Sequence, residues 1–292
     1  MSIMYGHTRG KKQQSSRMAR GRKSKKLENI SKQKQKYPLL AEMIVQMSDI
    51  VLEVLDARFV QETRNAEIEE LIKKENKKII YVLNKADLIT GKKVEKEVAK
   101  LNPKVFVSCV NRSGIRELRE RIKIISTQVE DISDKRFNKV TVGIVGYPNT
   151  GKSSIINLLV GKKVAGTASE AGYTKGIQKA RLTSEIVLLD SPGIIPHKEY
   201  STSDSKLMSQ HAKVGAKSFS QAKDPETVVS ALVKEYPLVF DTYYNISSKG
   251  DAEVLIELLG RKMGLLKKGN QVDEDRTSRI ILKDWQEGKI KR

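Results

Sequence analysis

Short apolar runs alternate with longer charged segments through much of the chain. The runs are continuous and rich in β-branched residues, which is typical of strands buried on both faces of a sheet. They lie at Ile50–Leu55, Ile79–Leu83, Val105–Val107, Val140–Val145 and Ile186–Leu189. The charged segments between them predict helices at about 64–76, 92–101, 114–125 and 152–160. Alternating strands and helices predict an α/β fold with a mostly parallel sheet and helices on both faces.

The strand-like runs then stop, and amphipathic patterns replace them. Apolar side chains recur at helical spacing within 228–233, 254–259 and 277–285, which predicts three helices. We therefore expect an α/β domain at 37–200 and a small all-helical domain at 201–292.

The net charge of +20 is concentrated at the N-terminus. Residues 1–36 hold twelve Lys or Arg and one acidic residue, Glu28, so this arm has a net charge of +11. Its lack of apolar periodicity predicts a disordered segment. Such an arm binds polyanions by releasing their condensed counterions, and RNA is the expected partner. The alternative is a solvated tail that only aids solubility.

Composition narrows the class of protein further. No stretch approaches the roughly 18 apolar residues that would span a membrane, and the first residues lack the apolar core of a secretory signal. Cys109 is the single cysteine, so an intrachain disulfide framework is excluded, which fits a reducing compartment. We expect a monomeric, cytoplasmic protein without a membrane partner.

The strand-like run at 140–145 leads into a glycine-rich loop, Gly146–Ser153, with the pattern Gly-x-x-x-x-Gly-Lys-Ser. Between a strand and a helix, this pattern binds phosphates through backbone N–H groups at the helix N-terminus. Lys152 is predicted to contact the β- and γ-phosphates and to act in catalysis, and Ser153 to ligate Mg²⁺. The other nucleotide-binding residues expected here are Asn149, Thr150, Gly151 and Ser154.

A second phosphate-linked motif, Asp190-Ser191-Pro192-Gly193, follows the last apolar run. The Asp190 carboxylate is suited to hold Mg²⁺ through water, and the Gly193 N–H to bond the γ-phosphate. As an isolated tetrapeptide it would fit a simple turn. Its position downstream of the phosphate loop favours the metal and γ-phosphate role.

A base-reading motif, Asn84-Lys85-Ala86-Asp87, follows the run at 79–83. The Asp87 carboxylate is suited to accept the N1–H and N2 amino hydrogens of guanine, and buried acceptors reject bases that leave them unpaired. Asn84 is expected to tie this loop to the phosphate loop, and the Lys85 stem to cover the base. Ser108-Cys109 fits the loop whose backbone amide meets guanine O6.

The order of these motifs is rotated relative to an ordinary Ras-like GTPase, because the guanine loop precedes the phosphate loop. With Asp56-Ala57-Arg58 and Arg64-Asn65 after the first strand, the chain resembles the YlqF/RbgA-type circularly permuted GTPases over about 40–290. The resemblance implies a circularly permuted P-loop GTPase domain followed by an all-helical domain. It also implies Mg²⁺-dependent GTP hydrolysis coupled to large-subunit assembly, with ribosomal RNA and the subunit precursor as partners.

The same resemblance selects the switch threonine. Gly172-Tyr173-Thr174 matches the Gly-x-Thr of the family, so Thr174 is expected to ligate Mg²⁺ and to act in catalysis, with Thr167 as the competing residue. Ile194 follows the Asp-x-Pro-Gly motif where Ras-like enzymes place glutamine. A hydrocarbon cannot orient water, so we expect slow turnover that the ribosomal particle or K⁺ accelerates.

Several residues keep alternative interpretations. Asn149 resembles the K⁺-ligating asparagine of K⁺-activated GTPases, and a structural role in the loop is the alternative. His7 lies in the basic arm, too far from the first strand to take the role of the histidine near that strand in bacterial members. His197 and His211 are expected at the surface. For the whole chain, the alternatives are an RNA-binding scaffold with negligible turnover and a GTPase that acts on tRNA.

Overall fold

The five apolar runs form five of the strands of one six-stranded sheet. The computed structural model describes residues 39–89, 93–129, 139–164, 177–196, 210–216 and 218–291. The strands are β1 (Ile50–Asp56), β2 (Lys78–Asn84), β3 (Lys104–Phe106), β4 (Val140–Gly146), β5 (Gln178–Arg181) and β6 (Ile186–Asp190). Their order across the sheet is β3-β2-β1-β4-β6-β5. All neighbours are parallel except β5 and β6, so the predicted mostly parallel sheet is confirmed.

Strand β5 is an element that the hydrophobic pattern does not predict. Its sequence, Gln-Lys-Ala-Arg, is polar, and three of its four residues are exposed. An edge strand needs no apolar run, because one of its sides has no neighbouring strand and charged residues there discourage pairing with another chain.

Helices cover both faces of the sheet, as predicted. They are α1 (39–47), α2 (Val60–Thr63), α3 (Ala66–Lys74), α4 (Lys93–Glu97), α5 (Ile115–Ser126) and α6 (Lys152–Val160). On one face, Leu52, Val82 and Ile144 belong to a core that includes residues of α5 and α6. On the other face, Val51 and Val145 pack with residues of α1 and α3.

The C-terminal region is helical, as expected. Its helices are α7 (Pro225–Glu235), α8 (Pro237–Tyr244), α9 (Ala252–Lys262) and α10 (Glu274–Gln286), together with a short helical stretch at 210–213 and a 3₁₀ turn at Phe219–Gln221. Helix α8 was not predicted. It starts at Pro237, a residue favoured at the first helical position, and only Tyr236 separates it from the end of α7.

The helical region is packed against the α/β part rather than separated from it. Phe59 and Tyr147, which belong to the α/β part, lie in the same core as Phe240 and Trp285. The ring centroids of Phe59 and Trp285 are 6.0 Å apart. This shared core places helix α10 beside the loops at the C-terminal ends of β1 and β4.

Some of the predicted features lie outside the described residues, namely the basic arm at 1–36, His7, Thr167, Thr174 and His197. Within the described part of the chain, no helix has the length and apolar character needed to cross a membrane.

Candidate nucleotide-binding site

The phosphate loop joins the end of β4 to the start of α6, and two glycines permit its close contacts. Gly146 has a φ of +147°, and a Cβ at this position would lie 2.3 Å from Val54 O. Gly151 has a φ of +97°, and its Cβ would lie 2.1 Å from Asn84 Nδ2. Only glycine fits such positions without a clash. The loop is thus held against both β1 and the guanine loop.

The side chain of Lys152 lies within the phosphate loop. Its Nζ donates hydrogen bonds to Gly146 O at 3.0 Å and to Tyr147 O at 2.7 Å. Burial lowers the pKa of this amine to about 8, and the charge of Asp190 opposes that shift. An anionic ligand would stabilise this buried amine in its charged form, because a nearby negative charge favours protonation.

Ser153 and Asp190 form a pair of oxygen donors beside this lysine. Ser153 Oγ donates to Asp190 Oδ2 at 3.0 Å. The other carboxylate oxygen, Oδ1, is buried and has no hydrogen-bond partner among the described residues. Burial raises the pKa of Asp190, while Lys152 opposes the shift. A hydroxyl and a carboxylate oxygen with spare capacity fit Mg²⁺, which takes oxygen ligands and usually needs few from the protein.

The Asp-x-Pro-Gly segment lies directly on the phosphate loop. The Cβ that Gly193 lacks would be 2.5 Å from Pro148 Cα. Ile194 N donates to Gly146 O at 3.0 Å, and the Ile194 side chain is buried. The residue that replaces the water-orienting glutamine is therefore packed in the apolar core beneath α1 and α3.

The guanine loop follows β2 and is tied to the phosphate loop. Asn84 Nδ2 donates to Thr150 O at 2.7 Å, which is the contact expected of this residue. Ala86 N donates to Val107 O at 3.1 Å, and Ser108 Oγ donates to Asp87 Oδ1 at 2.5 Å. The two predicted base-binding segments therefore meet, with Asp87 held by a hydroxyl of the second one.

Cys109 lies beside these residues and is half-buried. Burial raises its pKa to about 11, and a hydrogen bond with Asn84 opposes the shift. Because the thiolate is the nucleophilic form, this position agrees with a loop residue rather than a reactive one.

Two charged residues of this site, Asp56 and Arg58, have contacts that the sequence motifs do not predict. Asp56 is the last residue of β1, and its Oδ2 lies 2.8 Å from both Lys85 Nζ and Arg58 Nη2. Burial raises the pKa of Asp56, but Lys85 and Arg58 together outweigh it and hold this pKa well below its usual range. The sequence could have indicated a role for Asp56 through its position alone, because Asp56 is the last residue of β1 just as Asn84 is the last residue of β2.

Asn149 of the phosphate loop contacts the stretch that leads into the helical region. This residue has a left-handed backbone, φ +60°, and its Nδ2 donates to Gly215 O at 2.9 Å. The stretch 210–216 is held in turn by α10, because Trp285 Nε1 donates to Lys213 O at 3.0 Å. The surface position expected for His211 was wrong. His211 is 5% exposed, because this stretch is packed beneath α10.

Comparison with known proteins agrees with the motif order. A family described as 50S ribosome-binding GTPase matches residues 141–237. This range holds the phosphate loop and Asp-x-Pro-Gly, whereas the guanine loop at 84–87 lies upstream of it. The match therefore begins in the middle of the α/β part, as a rotated chain order requires.

Two curated relatives match most of this chain. The uncharacterized GTP-binding protein MJ1464 of Methanocaldococcus jannaschii is 40% identical over 253 residues, which are 85% of this chain and 64% of that protein. Nucleolar GTP-binding protein 2 of Saccharomyces cerevisiae is 36% identical over 255 residues, which are 85% of this chain and 50% of that protein. The chain thus spans between half and two thirds of the length of these relatives.

Solved structures of YlqF from Thermotoga maritima share the fold. The GNP-bound form has a TM-score of 0.56 at 26% identity, over 83% of this chain and 90% of YlqF. The GDP-bound form has a TM-score of 0.54 at 25% identity, over 84% of this chain and 92% of YlqF. The expected resemblance in fold is confirmed.

Proposed function

We infer that this chain, a GTP-binding protein of the circularly permuted YlqF type, hydrolyses GTP slowly on its own and acts in assembly of the large ribosomal subunit. The observation that carries the proposal is the bond between Asn84 and Thr150. It joins the guanine loop to the phosphate loop although the two motifs stand in rotated order along the chain. We propose a basic arm at 1–36, a GTPase domain at 37–200 and a helical domain at 201–292.

The base and the phosphates are held by different parts of the site. Asp87 accepts hydrogen bonds from guanine while Ser108 fixes its carboxylate, and the backbone amide at Cys109 meets guanine O6. The backbone of Asn149 to Ser154 cradles the phosphates, and Lys152 Nζ exchanges its two carbonyl partners for phosphate oxygens. Gly193 N–H bonds the γ-phosphate.

Ser153, Asp190 and Thr174 would hold Mg²⁺. Asp190 Oδ1, which has no hydrogen-bond partner in the described part of the chain, supports this assignment, since a buried carboxylate oxygen without a partner is costly unless a cation or a proton meets it. When bound, the ion neutralises charge that develops on the phosphoryl group.

Slow hydrolysis follows from the residue after Gly193. Ile194 is a buried hydrocarbon and has no atom with which to orient water. The missing group must come from elsewhere, and we propose the ribosomal particle or K⁺ as its source. We propose Asn149 as the K⁺ ligand through its Oδ1, while its Nδ2 donates to Gly215 O.

The proposed ribosomal role rests on the proteins to which this chain is similar and on its net charge. The matching family is described as 50S ribosome-binding GTPases, and one relative is a nucleolar GTP-binding protein. A net charge of +20, with +11 in residues 1–36, favours a polyanionic partner. We propose that GTP positions the helical domain and the arm on ribosomal RNA, and that hydrolysis releases them.

A turnover assay tests the enzymatic part. GTP hydrolysis is measured in K⁺ and in Na⁺, each with and without large-subunit particles, with Lys152→Met as the control that removes phosphate contact. We expect a rate that K⁺ or the particles raise and that the control lacks. If neither condition raises the rate, the RNA-binding scaffold with negligible turnover is the better description.

A binding assay tests the switch. Large-subunit particles are titrated with the protein loaded with GDP or with a non-hydrolysable GTP analogue. We expect tighter binding in the GTP-like state. Equal affinity in the two states would contradict the nucleotide-dependent switch.

A further inference from the structure

Arg58 lies between the guanine loop and the last helix and bonds to both sides. Its Nε donates to Asp56 Oδ1 at 3.0 Å, and its Nη2 donates to Asp56 Oδ2 at 2.8 Å. Asp56 in turn holds Lys85 Nζ at 2.8 Å. On the opposite side, Arg58 Nη1 donates to Trp285 O at 3.0 Å. Asp56 and Arg58 thus form a chain of two residues that links Lys85 of the guanine loop to Trp285 of helix α10.

The surroundings make this link costly to break. Arg58 is 2% exposed and Asp56 is fully buried, and a buried charge that loses its partner is strongly destabilising. Trp285 lies in the last turn of α10, where the helix dipole favours a cation, and its carbonyl also accepts from Gly288 N at 3.1 Å. The planar guanidinium can serve both partners at once, because its donors point in fixed directions.

A second contact joins the same two elements. Gly288, just beyond α10, approaches Leu88, the residue after the guanine loop, so closely that a Cβ on Gly288 would lie 2.4 Å from Leu88 Cδ1. The end of α10 therefore abuts the guanine loop by packing as well as through Arg58. A shift of either element must disturb the other.

We propose that Arg58 is a positioning residue that couples the guanine loop to the helical region. Guanine binding fixes Lys85, Lys85 fixes Asp56, and Arg58 carries that constraint to the Trp285 carbonyl. Coupling of two sites is reciprocal in their binding free energies, so docking of α10 also strengthens nucleotide binding. We expect the stronger binding to appear as slower nucleotide release. The inference rests on the proposed function, because it requires guanine nucleotide binding at this site. It adds that GDP, which has no γ-phosphate, also holds helix α10 against the guanine loop.

Trp285 provides a built-in probe, because the sequence contains one tryptophan. Its carbonyl accepts from Arg58, and its indole donates to Lys213 O. Acrylamide quenching of Trp285 therefore reports on the docking of α10. We expect GDP, and a non-hydrolysable GTP analogue, to reduce quenching in the full-length protein.

The test compares Arg58→Met with Arg64→Met. Arg64 is a matched control, because it also pairs with a carboxylate, Glu69 at 2.6 Å, in the segment after β1. Among the described residues, it bonds to neither Lys85 nor Trp285. In Arg58→Met we expect a fluorescent GDP analogue to dissociate about tenfold faster, because the loss of one charge-assisted hydrogen bond changes affinity by about that factor. GDP should no longer change Trp285 quenching. Arg64→Met should behave as the unaltered protein in both measurements.

Three results would overturn the inference: unaltered dissociation in Arg58→Met, a retained GDP effect on its quenching, or the same losses in Arg64→Met. If Arg58→Met lacks the far-ultraviolet circular dichroism of the folded chain, Arg58→Lys takes its place. The lysine keeps the charge but cannot reach both partners, so the GDP effect on quenching should shrink. Failure of the unaltered protein to bind GDP would instead refute the proposed function.

Discussion

At the residue scale, Asp87 is expected to decide which base the site accepts. Asp87→Asn should weaken GTP binding by about tenfold or more, the value of one lost hydrogen bond to a charged group, and should favour xanthosine triphosphate. The reason is that an amide donor meets the carbonyl that xanthine carries in place of the guanine amino group. Competition binding with the two nucleotides measures the shift.

Ser108→Ala is the matching control for that experiment. It removes the hydroxyl that holds Asp87 Oδ1 but keeps the carboxylate. We expect a smaller loss of GTP affinity without a preference for xanthine. Retained GTP selectivity in Asp87→Asn would contradict the assignment of the guanine loop.

Lys152 gives nucleotide binding a pH dependence. Its pKa is about 8 in the free protein because it is buried, and phosphates raise that pKa because they stabilise the charged amine. Binding of GDP near pH 8.5 should therefore take up a fraction of a proton, and binding at pH 6.5 should take up none. Calorimetry in buffers of different ionisation enthalpy measures this uptake.

Lys152→Met distinguishes proton uptake by Lys152 from proton uptake by other groups. The variant should bind GDP more weakly and take up no proton at pH 8.5. If proton uptake is the same at both pH values, or persists in the variant, another group is responsible.

At the element scale, the two ends of α6 offer a matched pair of glycines. Gly151 and Gly161 both have positive φ, +97° and +78°, so alanine costs about 1 kcal/mol of backbone strain at either one. A Cβ on Gly151 would meet Asn84 Nδ2 at 2.1 Å, whereas a Cβ on Gly161 would meet nothing within 4 Å among the described residues.

The two alanine variants should therefore differ in nucleotide binding. Gly161→Ala should lower the free energy of unfolding by about 1 kcal/mol and bind GDP normally. Gly151→Ala should lose more stability and most of its GDP affinity, because the guanine loop is pushed from the phosphate loop. Urea titration and GDP binding measure both. Equal GDP affinity in the two variants would contradict the role of the Asn84 contact.

The elements also show what a sequence can and cannot predict. Strands β1, β2 and β4 were predictable because burial on both faces requires continuous apolar runs. Strand β5 was not, because its polar edge position follows from the register with β6. The roles of Asp56 and Arg58 needed the structure as well, since their partners Lys85 and Trp285 are brought near only by the fold.

At the scale of the whole molecule, the charge distribution predicts how RNA binding depends on salt. Removal of residues 1–36 takes away +11 of the +20 net charge. The slope of log K against log salt concentration should become shallower by about 0.7 to 0.9 for each phosphate contact the arm supplies. Filter binding of ribosomal RNA across a salt series measures the slope.

GDP affinity is the control for the shortened chain, and it should be unchanged because the described nucleotide site begins beyond the arm. An unaltered salt slope would assign the arm to a role other than RNA contact.

The strand order has a consequence for how the molecule is made. Strands β1, β2 and β3 form one half of the sheet, β4, β5 and β6 form the other, and among the described strands the halves are joined by the pairing of β1 with β4. During synthesis the first half emerges with the edge of β1 unpaired, and it closes when β4 arrives. Since the guanine loop belongs to the first half and the phosphate loop to the second, nucleotide binds only chains whose halves have joined. Bound nucleotide thereby distinguishes finished molecules from folding intermediates.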